Sequence, residues 1–141
     1  MPEVHGGCAC GAVRFKTAAE PYRVGLCHCL TCRKHSGSVF NLFAIFPADQ
    51  LAIIGNTAVF ESSATYHRHF CPVCGSPVFG RDVDTDEIEL HVGAFDEPNQ
   101  VRPTYELWHG RRERWLPDFG GMVKYPANRE ETGREESQAG N

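Results

Sequence analysis

The chain has 141 residues and a formal net charge of −4, which is the size of one domain and leaves too little sequence for two independent hydrophobic cores. Hydrophobic residues make up 41% of it and charged residues 23%, a globular composition that excludes an intrinsically disordered chain. The acidic balance disfavours nucleic-acid binding, which usually requires a basic excess, and the seven cysteines, an odd number, exclude a fully paired disulfide framework.

The predicted elements are mostly short strands, because apolar and polar residues alternate along much of the chain. Residues 12–16 form the first predicted strand, and a helical turn follows over residues 31–35 and ends at Gly37. The apolar run over residues 39–46 is typical of a central strand covered on both faces. Further strands are predicted over residues 58–62, 65–70, 87–92 and 105–108. The pattern predicts an all-β fold of short antiparallel strands, with metal-binding clips at the loops.

Neither an export signal nor a membrane segment is visible. Residues 1–7 lack the basic and apolar regions of a signal peptide, and the apolar run over residues 39–46 is too short to cross a bilayer. We therefore expect a cytoplasmic protein, whose clustered cysteines are metal ligands or catalytic thiols rather than disulfides. Residues 128–141 contain no large apolar residue, which predicts a disordered polar tail. The folded domain is therefore expected over residues 1–127, and its clustered cysteines make it a zinc-binding domain.

The seven cysteines fall into groups whose spacing is typical of metal ligands. In an extended chain the sulfurs of a C-x-C pair point to the same side, and a C-x-x-C pair approaches one metal by folding a tight turn. Three cysteines lie within six residues and can bind one metal locally, namely Cys27, Cys29 and Cys32. The other four form two pairs that can surround a tetrahedral zinc, namely Cys8, Cys10, Cys71 and Cys74.

This division predicts two kinds of site, because four sulfurs close a structural site whereas three leave the open position of a catalytic one. One alternative grouping also gives a site of four cysteines and a site of three, but its four-cysteine site consists of Cys8, Cys10, Cys27 and Cys29. In another alternative His28 or His35 completes the smaller site and makes it structural. A thioredoxin-like redox pair at residues 71–74 is disfavoured, because the Gly-Ser-Pro sequence that follows does not begin a helix.

Three stretches carry the cysteines together with distinctive neighbours: GCACGAVRF at residues 7–15, CHCLTCRKHSGS at residues 27–38 and RHFCPVCGSP at residues 68–77. They resemble the glutathione-dependent formaldehyde-activating enzyme (GFA) family, which also includes centromere protein V. Residues 108–116 resemble the end of the domain in that family, so the resemblance covers approximately residues 4–126.

The resemblance implies a β-tent fold, related to Mss4-like proteins, that holds two zinc ions. One zinc would be structural and bound by Cys8, Cys10, Cys71 and Cys74. The other would have an exchangeable position and be bound by Cys27, Cys29 and Cys32. The implied activity is that of a carbon–sulfur lyase, which interconverts S-(hydroxymethyl)glutathione with glutathione and formaldehyde.

The residues around the smaller site suggest how this chemistry would proceed. A thiol that coordinates a metal loses its proton, and His28 or His35 could carry that proton near neutral pH. Arg33 and Lys34 follow Cys32 and are candidates to bind the carboxylates of a glutathione-like ligand. A small thiol such as glutathione is the expected partner. A non-catalytic zinc-stabilised module that binds a thiol or a protein is the alternative, and the sequence does not indicate the oligomeric state.

Overall fold

The structure, a computed structural model, describes residues 2–129. This part of the chain contains eleven strands and one helix. The strands are β1 Val4–Gly7, β2 Arg14–Thr17, β3 Arg23–Cys27, β4 Asn41–Pro47, β5 Ala52–Ile54, β6 Ala58–Glu61, β7 Tyr66–Phe70, β8 Pro77–Asp82, β9 Glu87–His91, β10 Tyr105–Leu107 and β11 Val123–Lys124. The helix, α1, is Leu30–Ser36, and short 3-10 turns lie at Ala48–Gln50, Val92–Ala94 and His109–Arg111. The predicted all-β class is confirmed.

The strands form two sheets. The smaller has the order β1-β2-β5, and the larger has the order β11-β10-β3-β4-β9-β8-β7-β6. Most neighbouring strands are antiparallel, as expected, but β10 pairs in parallel with both β3 and β11. The expectation of a purely antiparallel arrangement is therefore wrong at this edge, because β10 reaches its place through a long connection from β9 rather than through a hairpin.

Strand β4 lies between two hydrophobic cores, which confirms the prediction that this apolar run is covered on both faces. Ala44 and Phe46 pack into the core between the two sheets, beside residues such as Leu90. Phe43 and Ile45, which alternate with them, pack on the opposite face into a core that also contains three cysteines. The three cysteines of this second core are thus buried in the protein interior.

Several strands had no clear signal in the sequence, and β3 is the most important of them because it ends at Cys27. Gly25 interrupts its apolar pattern, yet the residue is required, because a Cβ there would lie 2.6 Å from the ring of Tyr105. The sequence pattern of strand β8 was also not recognised, because the strand begins directly after turn residues. A close approach by a ring from a distant strand leaves no mark in local sequence periodicity.

The predicted helical turn is confirmed as α1, which extends it by one residue at each end. Cys29 caps its N-terminus, with the sulfur accepting a hydrogen bond from the Cys32 amide at 3.3 Å, and Gly37 ends the helix in the left-handed conformation. The helix has only seven residues, and the structure over residues 2–129 contains no helix with the length and hydropathy needed to span a membrane.

The C-terminal end of the described region packs against β10 and the turn that follows. The Trp108 amide donates to the Ala127 carbonyl at 3.0 Å, and the Trp108 indole donates to Asn128 Oδ1 at 2.9 Å. The guanidinium of Arg129 lies 5.9 Å from the ring centre of Tyr105. The rest of the predicted tail, residues 130–141, lies outside the described residues.

Candidate metal centres

The first cysteine cluster joins two turns that are far apart in sequence. Its four sulfurs lie within 4.8 Å of one another and belong to Cys8, Cys10, Cys71 and Cys74. The sulfur of Cys10 is 3.6 Å from that of Cys8 and 3.7 Å from that of Cys71. A tetrahedral zinc with bonds of about 2.3 Å places its sulfurs about 3.8 Å apart. The cluster therefore has the spacing of a closed four-thiolate metal site.

The two turns present their sulfurs in different ways. Cys8 and Cys10 do not lie on an extended strand, as the C-x-C spacing predicted, because the Gly11 amide donates to the Cys8 carbonyl and closes a turn. In the second turn the Gly75 amide donates to the Cys71 carbonyl at 2.8 Å, and Gly75 has φ of 78°. A residue with a Cβ would be strained there, so the knuckle depends on this glycine.

Amide and hydroxyl groups lie within hydrogen-bond distance of three of the four sulfurs. The Val13 amide donates to the Cys8 sulfur at 3.2 Å, and the Val73 amide donates to the Cys71 sulfur at 3.4 Å. The Ser76 hydroxyl lies 3.3 Å from the Cys74 sulfur and, with backbone hydrogen bonds, lowers the pKa of Cys74 to about 5. Thiolates are the form in which cysteines bind metal.

The second cluster lies at the junction of β3 and α1 and consists of three buried cysteines, Cys27, Cys29 and Cys32, whose sulfurs lie within 4.8 Å of one another. Hydrogen bonds with the other two sulfurs, together with burial, raise the pKa of Cys27 well above its usual range. Three buried cysteines could be thiolates together only if a cation compensated their charge, and a metal ion bound to the three sulfurs would do so. The sulfurs are close enough to hold such an ion. Within residues 2–129 no histidine or carboxylate joins them as a fourth ligand.

His28 lies between two of these cysteines in sequence, but its ring turns away from them and is fully buried. Its Nε2 is 2.8 Å from Oε1 of Glu106, which is also fully buried, and the Arg112 Nε lies 3.7 Å from the same oxygen. The ring also makes an edge contact with Phe40 at 5.8 Å between centres. These contacts fix the position of the His28 ring. Glu106, which makes the closest of them, is a site residue that the sequence analysis missed.

His35 lies on α1 in a mostly aromatic environment, with ring centres 6.2 Å from Phe60, 6.3 Å from Phe70 and 6.0 Å from His91. Its Nε2 is buried and has no hydrogen-bond partner within residues 2–129. Burial, and then the charge of Arg68, lower the pKa of His35 to about 4, so the ring is neutral at pH 7. Neither candidate histidine is placed as a metal ligand.

Arg68 on β7 is the second site residue that the sequence analysis missed. Its Nη1 lies 3.6 Å from the Cys32 sulfur, and its Nε donates to the Ser62 hydroxyl at 3.0 Å. Burial by itself would lower the pKa of this guanidinium, but the negative charges of Cys32, Tyr66 and Glu89 together outweigh it and raise the pKa. The sequence does not link Arg68, which begins the third cysteine-containing stretch, to Cys32, because the two meet only when β7 and α1 come together in the fold.

Arg33 and Lys34, the predicted carboxylate-binding pair, lie on the outer side of α1. The Arg33 guanidinium donates to Glu113 Oε1 at 2.7 Å and to the Arg111 carbonyl at 3.3 Å, so its charge is already paired. Lys34 is exposed. Their assignment to a ligand carboxylate stays a prediction.

Comparisons with known proteins agree with this architecture. The profile of the family described as glutathione-dependent formaldehyde-activating enzyme matches residues 3–111. A crystal structure of a Rhodobacter sphaeroides protein superposes with a TM-score of 0.55, covers 86% of this chain and 98% of that one, and is 19% identical, which shows a shared fold. The β-tent arrangement expected from the resemblance is thus supported by the sheets, the cysteine clusters and a solved structure.

Several proteins are also similar to this chain in amino-acid sequence. An uncharacterized lyase of Schizosaccharomyces pombe is 33% identical over 56% of this chain and 58% of its own length. Proteins of Halomonas elongata and Penicillium rubens, provisionally named glutathione-dependent formaldehyde-activating enzymes, are 33% and 32% identical over 71% of this chain. The chain spans 69% and 61% of those two relatives. With its profile match over most of the chain, this protein belongs to the glutathione-dependent formaldehyde-activating enzyme family.

Proposed function

We propose that the protein is a zinc-dependent carbon–sulfur lyase that acts on a glutathione-type thiol adduct. The observation that carries the proposal is the cluster of Cys27, Cys29 and Cys32, which gathers three buried sulfurs without a fourth ligand from residues 2–129. Three protein ligands with one position to spare are typical of catalytic metal sites. The family description supplies the thiol, which is glutathione.

We assign zinc to both clusters. Sets of three or four thiolates in tetrahedral spacing suit zinc better than magnesium, calcium or manganese, which prefer oxygen ligands. The four-sulfur cluster would hold a structural ion, because it joins the turn after β1 to the turn after β7. The three-sulfur cluster would hold the ion that meets the substrate thiol.

The proposed reaction requires no oxidant or reductant. In S-(hydroxymethyl)glutathione the hydroxyl group loses its proton, the C–O bond becomes a carbonyl, and the electron pair of the C–S bond moves to sulfur. Formaldehyde leaves, and the proton is returned to give glutathione. Zinc, when bound, supplies a charge that stabilises the departing sulfur as a thiolate.

The protein residues would divide the remaining tasks. His28, which is held by Glu106 and has no exposed surface, would position the cysteine loop rather than carry protons to solvent. His35, whose ring is neutral at pH 7 and whose Nε2 has no hydrogen-bond partner in the described region, would accept a proton only transiently and inside the site. Arg68 would balance negative charge at Cys32.

The proposal is tested by the rate at which ¹³C-formaldehyde exchanges between free and glutathione-bound forms, measured by exchange NMR. The zinc-loaded protein should accelerate the exchange above the spontaneous rate, and Cys29→Ser should remove the acceleration. Serine is chosen because it preserves the helix N-cap. Binding of glutathione without faster exchange would instead support the alternative, a non-catalytic thiol-binding module.

A further inference from the structure

A groove of about 620 Å³ lies on one face of the large sheet, near the end of β3 and the start of β4. Its floor is formed by Leu26 and Leu42, which lie directly opposite each other in the β3–β4 pair. One wall is the segment over residues 102–104, and the other is the segment over residues 119–122. Among the described residues, those that line the groove include no cysteine and no histidine, so it is separate from both cysteine clusters. Small-molecule sites have volumes of roughly 300–1,000 Å³, and the groove lies within that range.

The lining of the groove is mostly apolar. The rings of Phe40 and Phe119 meet edge to face with their centres 5.9 Å apart, and Pro103 and Met122 add further apolar surface. All four side chains are only half-buried, so part of this apolar surface is in contact with water. A ligand that covers it gains hydrophobic free energy, and the two phenyl rings favour a ligand that carries an aromatic ring of its own.

The loop that carries Phe119 is held in place by contacts with its own neighbours. The guanidinium of Arg112 lies 5.3 Å from the ring centre of Phe119. Asp118 accepts hydrogen bonds from the Gly120 amide at 2.9 Å and from Lys124 Nζ at 3.1 Å. These contacts define one wall of the groove without a ligand, and they engage the carboxylate of Asp118.

Among the described residues that line the groove, one is charged, and its charge is positive. This residue is Arg102, which is exposed and forms no ion pair with another residue of the described region. The hydroxyl of Thr104, which also lines the groove, can donate a further hydrogen bond. A guanidinium binds a carboxylate through two parallel hydrogen bonds. The lining is therefore complementary to a molecule with an apolar body and a single carboxylate.

The C-terminal segment of the chain does not have the chemistry to fill this groove. Residues 130–141, which lie outside the described residues, contain no large apolar residue. The segment therefore has no side chain that could replace water on the phenyl rings and the methionine. The groove requires an occupant that is not part of this chain.

We infer that the groove binds a small monocarboxylate that carries an aromatic ring. The carboxylate would pair with Arg102, and the ring would pack against Phe40 and Phe119. This ligand class is distinct from the thiol of the proposed reaction. Binding at the groove requires neither a thiol nor a metal ion, so the inference does not depend on the proposed lyase activity.

The test uses 4-phenylbutyrate as the probe and Met122 as the reporter. The chain has two methionines, so a sample with ¹³C-labelled methionine methyl groups gives two NMR signals, and Met122→Leu identifies the one from the groove. The probe should shift the Met122 signal in a saturable way, with a Kd on the order of 1 mM or below. The neutral 4-phenylbutanamide has the same apolar body without the charge, and it should bind about fivefold more weakly.

Substitution of Arg102 separates the charge from the apolar body. Arg102→Gln should lower the affinity for 4-phenylbutyrate to that for the amide, and it should leave the affinity for the amide unchanged. The matched control is Arg114→Gln, which removes the same charge from an exposed position outside the groove and should change neither affinity. Glutathione at millimolar concentration should not displace the probe, because the groove is separate from the cysteine clusters.

Several results would overturn the inference. They are a Met122 signal that does not respond to 4-phenylbutyrate at millimolar concentration, equal affinities for the acid and the amide, and an Arg102→Gln variant that binds the acid as the wild type does. Displacement by glutathione would show that the groove belongs to the thiol site. A Met122 signal that moves with protein concentration alone would show that a second copy of the chain covers the groove. None of these readouts measures turnover, so failure of the lyase proposal in the exchange experiment leaves the groove assignment standing.

Discussion

The Arg68 guanidinium lies 3.6 Å from the Cys32 sulfur, although 36 residues separate the two in sequence. Arg68 is 5% exposed, and a buried guanidinium without an anion would cost several kcal/mol. Cys32 and Glu89 both contribute negative charge that raises the pKa of Arg68. Three thiolates around a divalent metal would carry one net negative charge, which the Arg68 guanidinium would help to balance.

We expect Arg68→Met to weaken metal binding at the three-cysteine cluster at least tenfold, because it removes one buried unit charge beside the thiolates. Arg68→Lys should have a smaller effect, since it keeps the charge but loses the planar fork. Competition with a chromophoric chelator measures the affinity. The control is Arg81→Met on the neighbouring strand β8, and equal affinities in Arg68→Met and this control would contradict the charge-balance account.

The two cysteine clusters should differ in their contribution to folding. Cys71→Ser should remove one metal ion and lower the free energy of unfolding by more than about 3 kcal/mol, because that cluster joins turns about 60 residues apart. Cys29→Ser should weaken metal binding with a smaller loss, because its cluster closes within six residues. Metal analysis and urea unfolding test both variants, and equal losses of stability would refute the division of roles.

The buried pair of His28 and Glu106 should contribute strongly to stability. Glu106→Ala should lower the free energy of unfolding by about 3–5 kcal/mol, because it leaves the buried groups around it without a partner. Glu113→Ala is the matched control, since its ion pair with Arg33 is partly exposed and should contribute less than about 1 kcal/mol. Urea unfolding of the two variants measures the difference. Similar losses in both would mean that burial of the first pair has no energetic consequence.

The extent of the polar tail can be tested by truncation. Deleting residues 130–141 should change the free energy of unfolding by less than about 0.5 kcal/mol, because the segment has no large apolar residue to bury. A deletion that starts at Asn128 should cost more, since it also removes the hydrogen bond to the Trp108 indole and the Arg129 contact with Tyr105. A large loss from the shorter deletion would show that the tail packs on the domain.

Local sequence patterns were sufficient for the features that depend on neighbouring residues. Strand β4 was predictable from its nearly continuous apolar run, and the end of α1 from Gly37. The grouping of the cysteines was also accessible, because C-x-C and C-x-x-C spacings constrain where sulfurs can meet. Even there, the turn at Cys8 replaced the extended pair that the spacing suggested.

Features that depend on strand pairing were not predictable. Arg68 contacts Cys32 from 36 residues away, and Glu106 meets His28 across a parallel strand pair with a sequence separation of 78 residues. Arg68 begins the third cysteine-containing stretch but was not singled out as a site residue, Glu106 belongs to no motif, and each lies in a segment that reads as an ordinary strand. The buried charges around the site became visible only when the order of strands in the large sheet was known.

The central claim is that the cluster of Cys27, Cys29 and Cys32 leaves one metal position that accepts a thiolate. Replacement of zinc by cobalt and titration with glutathione, followed through the visible absorption bands, tests it most directly. The account predicts that glutathione shifts the bands of the three-cysteine site, that S-methylglutathione shifts them far less, and that the bands of the four-cysteine site stay unchanged. Bands that do not respond to glutathione at millimolar concentration would show that the fourth position is already filled and would contradict the claim.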